Sequence, residues 1–386
     1  MKPIKKFFDN IRPHFEKGGK LERFYYTYEG FESFAFTPPT VTKVGSHIRD
    51  AIDMKRTMIF VVVALLPAAL FGMWNVGYQH FLAIGQESTL LANFWYGFLK
   101  WLPLQIVVFA VGMPIEFIFA DIRKHEVAEG FIVSAFLIPL ILPPDIPLWM
   151  VAVATAFAVL IGKEAFGGSG MNIMNPALLA RVFLFFAYPA HISGDKVWIA
   201  GLPDTMSGAT PLGIAASGDM SAMPSIMDRF LGFIPGSIGE TSTLAILLGA
   251  AFLLYTGIAS YRIMISVFAG GFLMGVIFNL WGANDYMMIP AWEQLTMGGF
   301  AFGAVFMATD PVSASQTNTG KWIYGFLIGL LAVLIRVFNP AYPEGIMMAI
   351  LLMNVFAPLI DHYVVQANVK RRMKRAQFAV KKIKGI

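Results

Sequence analysis

The sequence predicts an all-α polytopic membrane protein. Of its 386 residues, 57% are hydrophobic and 14% are charged, whereas about a quarter of the residues in soluble domains are charged. Apolar stretches long enough to cross ~30 Å of hydrocarbon recur along the chain. The 22 prolines are dispersed, and no regular ten-residue alternation of apolar and polar residues occurs. This pattern favours membrane helices over a transmembrane barrel.

Charge divides the chain into three predicted parts. Residues 1–56 form a basic arm, residues 57–361 form a transmembrane domain, and residues 362–386 form a basic tail. Of the 29 Lys and Arg, eleven lie in the arm and eight lie after Asp361. Basic ends that flank apolar spans follow the positive-inside rule, so both termini are predicted to be cytoplasmic. The same rule explains the net positive charge better than nucleic-acid binding does.

Ten spans are predicted, and nine or eleven remain compatible with the pattern. An even number places both basic ends on one side of the membrane, and loops that carry Arg123, Lys163, Arg262 and Lys321 then fall on that side as well. The predicted spans are residues 57–74, 99–120, 130–142, 147–161, 176–190, 242–256, 263–280, 295–308, 322–337 and 345–360.

Several of these spans are short and end in Pro or Gly clusters, such as the span that stops before Pro143-Pro144. In transporters, such segments often mark broken helices around a central site. The triplet Asn-Pro-Ala occurs at residues 175–177 and again at 339–341, each time before a span and on opposite predicted faces. Two inverted repeats are therefore expected, with chance recurrence of the triplet as the alternative.

Two absences restrict the chemistry of the chain. It contains no cysteine, which excludes disulfides, a chain-borne iron–sulfur cluster and thiol catalysis. Its six histidines show no metal-ligand spacing. No Gly-x-Gly-x-x-Gly follows a predicted strand, so a dinucleotide is expected to bind elsewhere than on this chain.

The longest loop on the opposite, periplasmic face, about residues 188–241, is rich in Gly and Ser. Thr210 lies in it on a stretch of small residues, after Ser207, Gly208 and Ala209. A turn of small residues lets the active site of another protein close around one hydroxyl. By local chemistry alone, an ordinary surface turn would look the same.

The stretch Asp204-Thr205-Met206-Ser207-Gly208-Ala209-Thr210 resembles the signature at which a flavin transferase esterifies the phosphate of FMN to threonine. Further motifs extend the resemblance over essentially the whole chain, to the B subunits of the Na⁺-translocating NADH:quinone oxidoreductase family. The D subunit of the related Rnf complex shares the flavin motif but lacks a comparable arm. The motifs are Gly18-Gly19-Lys20, Arg123-Lys124-His125-Glu126-Val127, Pro235-Gly236-Ser237-Ile238-Gly239-Glu240, Phe300-Ala301-Phe302-Gly303, Met307-Ala308-Thr309-Asp310-Pro311 and Asn339-Pro340-Ala341-Tyr342-Pro343-Glu344-Gly345.

The resemblance implies an enzyme subunit that carries FMN covalently on Thr210. It implies a bacterial inner-membrane complex with five other subunits, including an NADH-binding FAD/iron–sulfur subunit and a second FMN subunit. Electrons would pass from the FMN of this chain through riboflavin to ubiquinone, coupled to Na⁺ export. Maturation would need the flavin transferase.

Asn172 and Asn175 match the family's riboflavin-contacting asparagines. Amide side chains can both donate to and accept from the pyrimidine edge of a flavin. The alternative for this pair is helix capping before Pro176.

The quinone site implied by the resemblance lies around the loop after residue 123, which offers acid groups and a proton donor near an apolar slot. Its candidate residues are Gly112, His125, Glu129, Gly130, Phe131, Phe183 and Phe185. Met113 stands where the family pattern has a second glycine, which puts quinone access in question. For Phe183 and Phe185, core packing is the alternative.

Glu116 and Asp361 match family acids that are linked to Na⁺ uptake. Carboxylates within apolar spans are costly unless they are paired or serve a pathway, and oxygen ligands suit a hard cation. The alternative for Glu116 is an ion pair with Arg181 or Arg336. For Asp361 it is an ordinary acid at the membrane surface.

Three other functions remain open at this stage. An Rnf-type subunit that serves ferredoxin and NAD⁺ keeps the flavin chemistry, and the arm argues against it. A non-redox channel or transporter would also have broken helices and inverted repeats. A structural scaffold for other subunits would carry no flavin on Thr210.

Overall fold

The computed structural model describes residues 2–36, 42–48, 54–125, 127, 130–203, 207–339 and 344–383. This part of the chain consists of helices and connecting loops and contains no strand. The α-helices are α1 Lys2–Phe15, α2 Tyr25–Ala35, α3 Met54–Ala83, α4 Leu90–Arg123, α5 Phe131–Leu140, α6 Leu148–Gly162, α7 Pro176–Ala187, α8 Pro211–Ser217, α9 Ile226–Leu231, α10 Thr243–Tyr255, α11 Tyr261–Trp281, α12 Phe300–Phe302, α13 Asn318–Phe338 and α14 Ile346–Ile383.

Six of these helices are long and apolar enough to cross a membrane, namely α3, α4, α6, α11, α13 and α14. Three shorter apolar helices, α5, α7 and α10, lie among them. Helix α12 continues as a π-helical turn, Gly303–Met307, whose side chains are all buried. The prediction of an all-α membrane protein is confirmed, and each predicted span overlaps at least one helical segment.

Helices α3, α4 and α14 each extend nine residues or more beyond the predicted spans. Helix α3 continues nine residues past the predicted end of its span at residue 74, because the amide of Asn75 does not face lipid. Asn75 is 2% exposed, and its side chain donates to the carbonyl of Ile234 at 2.9 Å. Helix α14 spans 38 residues, so most of the basic tail continues the last apolar helix rather than forming a separate segment.

Glycines allow the closest helix contacts. A Cβ on Gly329 of α13 would lie 1.9 Å from the carbonyl oxygen of Val267 on α11, and a Cβ on Gly270 of α11 would lie 2.1 Å from the carbonyl oxygen of Phe326. Small residues at such contacts let helix backbones approach, which drives association where lipid competes with apolar side chains. The α11–α13 pair therefore depends on two reciprocal glycines.

The arm packs on the C-terminal half of α4. The backbone nitrogen and hydroxyl of Thr27 donate to the two carboxylate oxygens of Asp121, at 3.2 and 2.5 Å. The ring of Phe31 lies 5.0 Å from the ring of Phe117, centroid to centroid. A polar clamp and an aromatic contact thus attach α2 to α4.

We expect Gly329→Leu to destabilise the folded protein, because the new side chain must separate α13 from α11. Overpacking of this kind typically costs about 1–3 kcal/mol. The midpoint of thermal denaturation in detergent measures the loss. The control is Ile323→Ala on the same helix, where the side chain is 42% exposed. An unchanged midpoint for Gly329→Leu would show that the contact is not tight.

Candidate functional site

Thr210 opens onto a cavity of ≈ 230 Å³, which we call the Thr210 cavity. Its wall combines aromatic, charged and small residues, among them Arg181, Phe185, Trp198, Ser237, Glu240 and Thr241. The hydroxyl of Thr241 is buried and, within the described part of the chain, has no hydrogen-bond partner. A cavity of this kind can hold a flat aromatic ligand and offers it a free donor.

Thr210 itself is the N-cap of α8. Its Oγ1 accepts a hydrogen bond from the backbone nitrogen of Gly213 at 3.2 Å, and its side chain is half-buried. Gly208 donates from its backbone nitrogen to the carbonyl of Asp195 at 3.0 Å. A Cβ on Gly208 would lie 2.8 Å from that carbonyl oxygen, so the turn requires glycine there.

The remaining residues of the flavin motif are distributed around this turn. Ser207 is exposed and Ala209 is half-buried. Asp204 lies outside the described residues. The part of the motif that the structure describes therefore presents the Thr210 hydroxyl beside the cavity, with small residues on its N-terminal side.

A buried ion cluster forms one side of the Thr210 cavity. Arg181, which is 1% exposed, donates from Nη1 to both carboxylate oxygens of Glu240 at 3.2 Å and from Nη2 to Glu344. Ser237 donates its hydroxyl to Glu240. Burial raises the pKa of Glu240, the Arg181 charge lowers it, and the nearby Glu344 raises it further.

A second cavity, of ≈ 120 Å³, lies at the other end of α7, and we call it the Asn172 cavity. Asn172, Asn175, Lys163 and Asp310 line it together. Since α7 has 12 residues and rises about 1.5 Å per residue, its two ends are about 18 Å apart. Helix α7 contributes wall residues to both cavities: Pro176 lines the Asn172 cavity, and Arg181 and Phe185 line the Thr210 cavity.

The two asparagines of this cavity are engaged locally. Asn175 caps α7, because its Oδ1 accepts from the nitrogens of Ala177 at 3.0 Å and Leu178 at 3.4 Å. Asn172 donates from its amide to the carbonyl of Met174 at 3.1 Å. Asn175 therefore caps a helix, which was the alternative raised for this pair. Both asparagines nevertheless line the cavity.

The loop that carries Asn172 is shaped by glycine. Gly167, Gly168 and Gly170 have φ angles of 123°, 96° and 90°, which residues with a Cβ rarely adopt. Between them Ser169 places a buried hydroxyl on the cavity, and this hydroxyl has no partner in the portion described. The loop therefore offers a polar edge to a ligand.

Glu116 forms a buried ion pair with Lys163, not with Arg181 or Arg336 as the sequence suggested. Their side chains are 6% and 4% exposed. The Lys163 ammonium also lies 5.7 Å from the centroid of the Phe131 ring. The alternative of an ion pair is thus observed, but the predicted arginine partner was wrong. Lys163 follows the end of α6, and only tertiary packing brings it next to Glu116 on α4.

Asp361 accepts a set of hydrogen bonds from the loop before α13. Its carboxylate receives bonds from the hydroxyls of Ser315 at 2.7 Å and Thr317 at 2.6 Å. Backbone nitrogens of Gln316 at 2.7 Å and Thr317 at 3.0 Å complete the set. The residue is part of the long α14 and anchors that helix to the start of α13.

The predicted quinone residues separate into several locations. Gly112 contacts Phe131 so closely that a Cβ would lie 1.9 Å from the ring carbon Cζ. Gly130 lines the Asn172 cavity, whereas Phe185 lines the Thr210 cavity. Phe183 stacks on Phe157 at 4.6 Å between ring centroids, as core packing predicts.

Two further quinone candidates follow α4 in the sequence. His125 is exposed, and Glu129 lies outside the described residues. Near the end of α4, Met113, Phe31 and Asp121 line an open apolar slot of ≈ 390 Å³ between α2 and α4. No local pattern in the sequence indicates this slot, because the arm and α4 are remote in the chain.

A family model described as NQR2, RnfD, RnfE matches residues 41–370. The chain belongs to this family. Among its relatives, the B subunit of the Na(+)-translocating NADH-quinone reductase from Chromohalobacter salexigens is 53% identical over 398 residues, with 96% of each chain covered. The protein of the same name from Ectopseudomonas mendocina is 52% identical, covering 96% of this chain and 99% of its own. The one from Pseudomonas aeruginosa is 48% identical over 96% and 99%.

Sequence reasoning about the family motifs missed Glu240, Glu344 and Thr241 as residues of a site. A signal was present, since both glutamates stand beside apolar spans in motifs rich in glycine. Buried charges near spans are costly and therefore mark functional positions. Their convergence on Arg181 could not be predicted without the packing.

We expect Lys163→Met to destabilise the protein strongly, because it leaves the Glu116 carboxylate buried without its cation. Loss of one partner from a buried pair typically costs about 3–5 kcal/mol. Thermal denaturation in detergent should show that the double variant Lys163→Met with Glu116→Leu is more stable than Lys163→Met alone.

The control for this pair is Lys100→Met. Lys100 pairs with Asp145 at 2.5 Å, and their side chains are 34% and 39% exposed. Exposed pairs contribute about 0–1 kcal/mol, so a small effect is expected. Independent, additive effects at residues 163 and 116 would contradict coupling within the buried pair.

Proposed function

We propose that this chain is the B subunit of a Na⁺-translocating NADH:quinone reductase and that it carries FMN as a phosphoester on Thr210. The observation that supports this most is the position of the Thr210 hydroxyl at a cavity with aromatic and charged walls. The match to relatives over 96% of the chain includes most of the arm, the feature that separates this kind of chain from its Rnf counterpart.

The residues of the Thr210 cavity suit a flavin. Trp198 and Phe185 supply flat apolar surface, and Thr241 supplies a hydroxyl that lacks a protein partner among the described residues. Gly213 lines the cavity beside the threonine, where a Cβ would make an ordinary contact of 3.6 Å with the Thr210 Oγ1. When bound, FMN would supply reversible electron transfer, and these side chains would hold its ring away from water.

We assign riboflavin to the Asn172 cavity. The supporting features are the two asparagines, the buried Ser169 hydroxyl and the apolar lining from residues such as Leu137 and Phe306. The cavity also lies at the opposite end of α7 from the Thr210 cavity. Helix α7 would therefore line both flavin sites, with Pro176 at one and Arg181 and Phe185 at the other, five and nine residues away, which is a rise of about 8 and 14 Å.

We assign ubiquinone to the region of Gly112, Phe131 and the slot between α2 and α4. The slot offers an apolar surface for the tail, and Asp121 stands at its edge. His125 follows the end of α4 and is a candidate proton donor to the reduced quinone. Met113 lines the slot and is expected to narrow the entry relative to the family's glycine.

Glu116 and Asp361 are proposed to lie on the Na⁺ route. Each carboxylate is already engaged, Glu116 by Lys163 and Asp361 by hydroxyl and backbone donors. A passing Na⁺ would therefore have to replace these donors at oxygen atoms that suit a hard cation. The NADH-binding FAD/iron–sulfur subunit, the second FMN subunit and three other subunits are the expected partners.

We further propose ten membrane segments arranged as two inverted repeats, α3–α7 and α10–α14. The contacts of the two halves support this. Helix α4 packs on α6 as α11 packs on α13, and α5 packs on α7 as the π-helical segment packs on α14. The third segment of each half is the short one, α5 with 10 residues and the π-helical turn with 5.

We expect Thr210→Ala to abolish the covalent flavin, because it removes the oxygen that forms the phosphoester. The measurement is a denaturing gel viewed under ultraviolet light, together with the mass of the peptide around residue 210. The control is Ser217→Ala, which removes another hydroxyl from the same segment, one that donates to the carbonyl of Ile214. A fluorescent band that persists in Thr210→Ala would refute the attachment.

Membrane orientation can be tested directly, because the chain has no cysteine. Ala222 is exposed and lies in the loop that carries Thr210, about residues 188–241. We expect Ala222→Cys to react with an impermeant maleimide from outside the cell. Lys374→Cys, exposed on α14, should react only after the membrane is permeabilised. The reverse pattern would place Thr210 in the cytoplasm, where the proposal does not hold.

A further inference from the structure

The wall of the Thr210 cavity includes a cluster of charged side chains. One guanidinium faces two carboxylates, Glu240 and Glu344, and all three groups line the Thr210 cavity. The other buried arginine nearby, Arg336, directs its nitrogens at the carbonyls of Gln294, Met297 and Glu344, at 2.7 to 2.9 Å. The cavity wall therefore carries opposing charges with little solvent to screen them.

The cluster is also held rigidly. A Cβ on Gly299 would lie 2.5 Å from Glu240 Oε1 and 2.8 Å from Glu344 Oε1, so no residue larger than glycine fits beside the two carboxylates here. Arg181 donates in addition to the carbonyl of Ile141, and its guanidinium carbon lies 5.8 Å from the centroid of the Trp198 ring. Fixed charges in a dry site act strongly because they need not reorganise.

We propose that Arg181, fixed by Glu240 and Glu344, sets the reduction potential of the flavin carried on Thr210. The inference rests on the proposed function. An electron that enters the cavity adds negative charge, which the guanidinium stabilises and the carboxylates oppose. The two glutamates thus have two effects, since they hold the arginine in place and limit how far it raises the potential.

The structure predicts shifts of opposite sign for two variants. Arg181→Gln removes the cation and leaves two carboxylates, so the potential should fall. Glu344→Gln keeps the shape and removes one negative charge, so the potential should rise. Glu344 is the better target of the two glutamates because burial already raises the pKa of Glu240. Each shift should be at least tenfold in the one-electron equilibrium, which corresponds to ~59 mV.

The measurement is a spectroelectrochemical titration of the purified complex. The flavin of interest is the spectral component that is missing from the Thr210→Ala complex. The control is Glu293→Gln, because Glu293 pairs with Arg229, a buried arginine that is 3% exposed and is not in the cavity wall. This control reproduces the loss of a carboxylate from a buried arginine pair and should leave the potential unchanged.

The outcomes separate the two proposals. If the unaltered chain carries no covalent flavin, the proposed function fails. Suppose that the flavin is present and that its reduction potential is the same in the Glu344→Gln and Glu293→Gln complexes. The role of the cluster is then refuted, and Arg181 is structural. Should Arg181→Gln fail to assemble, Glu344→Gln alone decides, and a raised potential supports the proposal.

Discussion

The structure depends on the need to satisfy polar backbone groups where helices end inside an apolar bundle. Arg181 meets this need at the end of one helix and joins that end to two carboxylates from other loops. It binds the carbonyl of Ile141 just after α5, the carboxylate of Glu240 before α10, and the carboxylate of Glu344 before α14. In lipid, unsatisfied groups of this kind cost several kcal/mol each. The end of the short helix α5 is therefore tolerated, because the buried Arg181 satisfies the carbonyl that follows it.

The same arrangement creates the cavities. A helix that stops short leaves space beyond its end, and the loop that follows lines that space with polar groups. Helix α5 ends near the Arg181 cluster, and the loop before α7 carries the asparagines of the Asn172 cavity. Because α7 spans the distance between the two cavities, any movement of this helix would be felt at both.

Three residues show where sequence reasoning reaches its limit. The sequence allows either a ligand or a capping role for Asn175, and the residue caps α7 while facing a cavity. It suggests an arginine as the partner of Glu116, but Lys163 takes that place. It groups Phe185 with the quinone residues, yet Phe185 lines the Thr210 cavity. In each case the residue type is informative, whereas the partner depends on which helices are neighbours.

The sequence by itself determined the helical membrane class, the approximate position of each apolar segment and the threonine proposed to bear the flavin. The first two follow from local properties, namely hydropathy and charge at the ends, whereas the threonine follows from the resemblance of its motif to the flavin-attachment signature. Only the tertiary structure decided that Arg181, Glu240 and Glu344 converge beside Thr210, and that the arm forms a slot with α4. These contacts join residues that are dozens to more than a hundred positions apart, and side-chain packing, which no local pattern encodes, selects them.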